Sequence, residues 1–183
     1  MYISADPGVA NFGISVIDPS DHFKVIETFL VKNARKFTDD EKVVEAIYGG
    51  RTVKVLSITA KLEELLDKYP EVNSIVLEAP FYNALTPVAY GSLLEVIMAI
   101  KYTIVLKRNI LFKLIEPLLV KKFFSNKPMA SKEIMRQFLI SRKADGTVDL
   151  SVEVESLSEH EIDAIAVGFT HYLTLKEQTQ TQG

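Results

Sequence analysis

Apolar and polar residues alternate over Tyr2–Asp6 and again up to Asp18, and the two runs flank a break that holds Pro7, Gly8, Asn11 and Gly13. This pattern predicts a β-hairpin with a glycine-bearing turn. After a turn at Asp18-Pro19-Ser20-Asp21, residues 22–32 alternate again, which predicts a third strand antiparallel to the second. Residues 33–50 are polar and close on Gly49-Gly50, a loop with a short helix near Glu41 to Tyr48. Then Val55, Leu56, Ile58, Leu62, Leu65 and Leu66 recur at helical spacing over residues 51–69, ahead of Pro70. The short run Ile75-Val76-Leu77 suits a strand buried on both faces, and it ends on Glu78.

Residues 87–107 predict a long helix, apolar at Leu93, Leu94, Val96, Ile97, Ile100, Ile104 and Val105. It is too greasy for an exposed surface and reads as too short for a bilayer, so it is internal or covered by another subunit. A strand follows over 110–115, then a helical turn over 118–124, and then a basic amphipathic helix over 131–142 with Ile134, Phe138 and Leu139 inward. Residues 143–157 show no sustained period and read as a loop with some extended structure. The last helix, 158–176, opens with Ser158 and Glu161 at capping-box spacing, and Ile162, Ile165, Ala166, Phe169 and Leu173 form its buried stripe. A disordered tail, 177–183, is expected after it. The order is that of one α/β domain over residues 1–176: a meander extended by strands that alternate with helices, hence a mixed five-stranded sheet with helices on its faces. If the first and fourth strands pair in parallel, Asp6 and Glu78 stand side by side.

Composition narrows the chemistry. With 183 residues and 48% apolar content, the chain suits one full-sized core. It has no cysteine, so a metal would sit on oxygen and imidazole ligands, which favours hard cations. No basic, apolar leader is visible and apolar stretches are interrupted by charge, so no membrane association and a cytoplasmic location are expected. The net charge of −3 conceals an asymmetry: −5 over residues 1–100, +9 over 101–143 and −7 over 144–183. The middle block holds Lys107, Arg108, Lys113, Lys121, Lys122, Lys127, Lys132, Arg136, Arg142 and Lys143. It suits a phosphate footprint, or a solvated surface balanced by acidic ends.

Asp6 ends a core strand, where an unpaired carboxylate is costly, so it either caps the turn or faces a cation. Glu78 repeats the situation on a second strand. Neighbouring carboxylates raise each other's pKa unless a cation lies between them. The last helix adds Asp163, at the edge of the apolar stripe, with His160 three residues earlier on the same face and Glu159 one turn before it.

ISADPGVANFGISVID, then IVLEAPF, then the basic PLLVKKFF and ASKEIMRQFL segments, and finally EHEIDAIAVGFTHY together resemble the RuvC-type Holliday junction resolvases of the RNase H-like nuclease superfamily. The resemblance follows the whole chain in order except residues 32–50. It implies an RNase H-like fold and a homodimer that nicks opposite strands of four-way or branched DNA, leaving 5′-phosphates. It implies two Mg2+ ions, with Mn2+ able to substitute, about 3.5–4 Å apart as in other two-metal sites. Asp6 would bridge them, Glu78 would hold one, and Asp163 with His160 the other. Lys132 would neutralise charge at the phosphate, Lys121 and Lys122 would bind DNA, and Phe81, with Tyr82, would wedge at the unpaired junction centre, unless these aromatics pack in the core. Asn126-Lys127-Pro128 departs from the family's glycine-rich turn. Two other readings stand beside it: an RNase H-like nuclease for flaps, forks or RNA–DNA hybrids, and a non-cleaving DNA-binding relative.

Overall fold

The computed structural model describes residues 1–181 except Asp21, Ala34, Arg35, Asn83 and Thr86; parts of the expected turn at 18–21, of the loop at 33–50 and of the tail thus lie outside the described residues. The chain runs β1 (Tyr2–Asp6), β2 (Asn11–Asp18), β3 (Phe23–Lys32), α1 (Asp39–Tyr48), α2 (Gly50–Lys68), β4 (Ser74–Glu78) and α3 (Pro87–Ile100). A π-helical turn (Lys101–Val105) carries α3 into α4 (Leu106–Arg108), followed by β5 (Leu111–Ile115), α5 (Pro117–Ser125), α6 (Lys132–Ala144), β6 (Val148–Leu150) and α7 (Glu159–Thr181).

The sheet has six strands in the order β5-β4-β1-β2-β3-β6, one more than expected. β1, β2 and β3 form the antiparallel meander, while β4 lies parallel to β1 and β5 parallel to β4. The additional strand comes from the stretch read as a loop: Val148–Leu150 pairs in parallel with Phe23–Val25. Three residues are too few to show a period, and Val148 and Leu150 are fixed by burial rather than by local propensity. The last helix also exceeds its expected end, since residues 177–181 continue α7.

Strand alternation sorts the core into two layers. Ile3, Ala5, Ile75 and Leu77 face α2 and α3, whereas Tyr2 and Val76 face α5, α6 and α7. By the same parity Ser4 and Asp6 on β1, and Glu78 on β4, fall on the α7 face. In α3 the buried positions are Val96, Ile97, Ile100, Ile104 and Val105. A regular helix would turn Val105 away from Val96, and the extra residue of the π turn brings it back into phase. As one continuous helix, Pro87–Arg108 is long and apolar enough to cross a membrane, contrary to its expected shortness. Those five residues instead belong to the core between the sheet and α2. Leu94, Met98, Tyr102 and Leu106, spaced by four, remain exposed on the other side of it.

α7 lies across β1 and β2 at close range. A Cβ on Gly168 would come within 2.6 Å of Ser4 Oγ, and one on Gly13 within 2.0 Å of the His160 carbonyl oxygen. Only residues without a side chain permit this approach. Ser4 and Ser15, cross-strand partners, are wholly buried beneath the helix, and their hydroxyls have no hydrogen-bond partner among the described residues. Since an unsatisfied buried hydroxyl costs about 1–3 kcal/mol, Ser15→Ala is expected to raise the free energy of unfolding by about 1 kcal/mol. Urea denaturation measures it, and a destabilised variant would show that the hydroxyl has a partner.

Candidate active site

Asp6 sits at the last position of β1 and Glu78 at the last position of β4. The parallel register places Ala5 opposite Leu77, so the two carboxylates follow on adjacent strands and on the same face. α7 supplies the rest. Its start is fixed by a capping box in which the Ser158 backbone N–H and hydroxyl donate to Glu161 Oε2 (2.9 and 2.7 Å) and the Glu161 N–H donates to Ser158 Oγ (3.3 Å). Thr28 on β3 donates to the other Glu161 oxygen at 3.1 Å, tying the helix start to the sheet. This seats His160 over Gly13, the cross-strand partner of Asp6. His160 Nδ1 lies 2.7 Å from Asp6 Oδ2. Asp6 is therefore not a turn cap alone; its side chain is held by an imidazole from the last helix. One turn along α7, Asp163 pairs with Lys132, the first residue of α6.

The three carboxylates feel one another. Burial, then the charges of Asp6 and Asp163, push the Glu78 pKa up to about 8. Burial raises Asp163 as well, against the opposing pull of Lys132. The hydrogen bond to Asp6 raises His160, so a proton is favoured on the imidazole between the acids. For Lys132, burial disfavours the charge, but Asp163, Asp6 and Glu159 outweigh it and its pKa rises. A cavity of about 260 Å3 adjoins these groups, with Lys132, Glu159, Asp163 and Arg136 in its wall. Glu159 thus lies on the Lys132 side, while His160 is the residue on Asp6. Among the described residues no three acids or imidazoles stand close enough to clasp an ion in this arrangement, in which Asp6 pairs with His160 and Asp163 with Lys132.

Lys121 on α5 is half-buried and close enough to lower the Glu78 pKa, whereas Lys122 is exposed on the same helix. Phe81 and Tyr82 follow β4 and are 67% and 59% exposed, which rules out core packing for both; Tyr82 packs edge-on against Tyr90.

The cationic block is thinner as a footprint than its sequence suggests. Arg136 donates to the Val154 and Leu157 carbonyls (2.7 and 2.9 Å), and Arg142 donates to the Phe124 carbonyl (2.7 Å) and lies over the Phe169 ring. Lys107 and Arg108 pair with Glu63 and Asp67 on α2, and Lys143 donates to the Val152 carbonyl. Lys121, Lys122, Lys127 and Lys132 remain as phosphate candidates. The positioning role of Gly13 is absent from any pairwise motif; its only sequence signal is a glycine inside a strand, where close backbone approach is one cause.

No protein-family model matches the sequence, and no curated protein does. Solved structures do. Thermus thermophilus RuvC in complex with a Holliday junction substrate superposes with a TM-score of 0.68 at 19% identity, covering 98% of each chain. The chain has the fold of RuvC. A second Thermus thermophilus RuvC structure gives 0.64 at 18% identity, over 97% of this chain and 96% of that one. The yeast mitochondrial Holliday junction resolvase Ydc2 gives 0.63 at 11% identity, over 98% of this chain and 83% of its own.

The raised Glu78 pKa has a measurable cost. An unfolded glutamate, ordinarily near 4.5, releases its proton above that pH, whereas folded Glu78 keeps it to about 8. Stability is therefore fully present below pH 4.5 and falls as pH rises through 8. Glu78→Gln is expected to stabilise the metal-free protein by roughly 1–3 kcal/mol at pH 8 and by little at pH 4.5. Chemical denaturation at the two pH values measures the difference, and equal gains at both would show that the buried charge on Glu78 is not the cause.

Proposed function

We propose that this protein is a Holliday junction resolvase, a homodimeric endonuclease that nicks opposite strands of four-way DNA junctions and leaves 5′-phosphates. The observation that carries the reading is the placement of Asp6 and Glu78 side by side at strand ends, with Asp163 of α7 near enough that its charge, after burial and Asp6, helps raise the Glu78 pKa. The RuvC fold, one of whose solved forms holds a Holliday junction substrate, supports the choice of DNA substrate.

The donor set, three carboxylates and an imidazole without thiolate, fits Mg2+, with Mn2+ as a substitute. Asp6, Glu78, Asp163 and His160 would hold it. Bound cations would supply Lewis acidity that activates water and stabilises the leaving 3′ oxygen. The chain's own residues do the remainder. His160 orients the Asp6 carboxylate, Lys132 and Lys121 bring positive charge to the edge where a phosphate must approach, and exposed Phe81, with Tyr82, offers an aromatic face to an unpaired base. Lys122 extends the cationic edge along α5.

Two cuts on opposite strands need two sites. The exposed row Leu94, Met98, Tyr102 and Leu106 supplies an apolar face for a two-fold partner. Packing of the other face of this helix into the core fits a cytoplasmic enzyme and no membrane.

A substrate panel tests the reading. With Mg2+, symmetric nicks are expected in a labelled four-way junction and not in a flap, a fork, an RNA–DNA hybrid or plain duplex. Asp6→Asn should abolish cleavage and retain junction binding. Sedimentation should give twice the 20.5 kDa chain mass. Preference for flaps or hybrids would move the protein to another RNase H-like activity, and binding without cleavage under Mg2+ or Mn2+ would make it a junction-binding protein.

Lys132 and a cation would compete for Asp163. Lys132→Met is therefore expected to bind Mn2+ at least as tightly as the unmodified protein by calorimetry while cleaving about 100-fold more slowly. Weaker metal binding in the variant would contradict the competition.

A further inference from the structure

At the opposite end of the same strands, a second cavity of about 430 Å3 opens between the sheet and the far part of α7. Leu111 and Leu175 contribute to its largely apolar wall over a floor at Tyr2, and Lys113 and His171 are among its polar residues. Tyr2 and Asp6 are four positions apart on β1, about 13 Å at the usual rise of a strand, so this cavity is separate from the carboxylates.

The charge balance distinguishes it from an ordinary crevice. The Tyr2 hydroxyl is satisfied, donating to the Gly168 carbonyl at 2.8 Å. Lys113 Nζ lies 3.4 Å from His171 Nδ1 and donates to Thr174 Oγ1 at 3.3 Å. His171 is buried, edge-on to the Tyr2 ring. Burial, then the charge of Lys113, push its pKa down to about 4, so it is neutral and Nδ1 accepts from the ammonium. Both polar partners of Lys113 are thus uncharged, and among the described residues no carboxylate pairs with it. A cation in an apolar wall without a counter-charge favours an anion. Lys113, with one spare donor, suits a single negative charge, whereas a phosphomonoester asks for more donors. The volume is that of a small-molecule pocket.

We propose that this cavity binds a small apolar monocarboxylate, its hydrocarbon body between Tyr2, Leu111 and Leu175 and its carboxylate on Lys113. Titration calorimetry of the full chain with 2-naphthoate and with its neutral counterpart 2-naphthalenemethanol tests it. Naphthoate should bind saturably, with a Kd below about 1 mM, and the alcohol should bind at least about tenfold more weakly. Lys113→Met should reduce naphthoate binding to the level of the alcohol, and Lys113→Arg should retain it. In the unmodified protein, the His171 ring resonances should shift with naphthoate while those of His22 stay in place, which keeps the test open if Lys113→Met does not fold. No saturable binding, equal binding of acid and alcohol, or unmoved His171 resonances would overturn the proposal. Asp6→Asn should bind naphthoate unchanged, so the outcome does not depend on the nuclease reading.

Discussion

The site depends on how closely α7 lies on the first hairpin. A helix packed on a sheet through ordinary side chains stands about 10 Å away, too far for its first turn to touch a carboxylate at a strand end. Here Gly13 lies against the His160 carbonyl and Gly168 against Ser4, so the helix descends at two points more than two turns of its length apart. Between them it lies flush, and His160 and Asp163 reach the ends of β1 and α6 with short side chains. Small residues on both surfaces, including serines whose hydroxyls have no hydrogen-bond partner among the described residues, accompany that approach.

Close approach creates the electrostatic problem. Three acids share one edge, and the chain supplies two cationic partners, His160 for Asp6 and Lys132 for Asp163. Glu78 has no such partner at hydrogen-bonding range among the described residues, and burial, then the neighbouring acids, raise its pKa. A sequence selected for stability alone would place a neutral side chain there. A carboxylate at a buried strand end, against its own folding energetics, is the kind of perturbed group that clusters at functional sites.

Much of this was legible in the sequence, for identifiable reasons. Strand period delivers the meander and the isolated run 75–77 the fourth strand, while the parallel pairing of β1 with β4, conditional in the sequence, is set by the fold. The capping box at Ser158 fixes the phase of α7 and thus the partners of His160 and Asp163. β6 was illegible since three residues carry no period, and the π turn since its cause is a core contact of Val105 rather than any local preference. The cationic block misled in part. Arg136 and Arg142 spend their guanidinium donors on carbonyls at element ends, a role that charge counting does not distinguish from phosphate binding.

The two ends of the sheet divide the labour of a single set of strands. On the α7 face, β1 runs Tyr2, Ser4, Asp6, and β4 runs Ser74, Val76, Glu78, so each strand passes from cavity wall to packed core to carboxylate within five residues. α7 spans the same distance, from Asp163 at one end to His171 at the other. A shift of this helix along the hairpin would move both ends at once, yet the steric contacts at Gly13 and Gly168 oppose it, since sliding brings neighbouring side chains into space that only a glycine leaves open. The charged groups at the two ends therefore sit on a common rigid element, and the geometry at the carboxylates is set by packing that extends well beyond them.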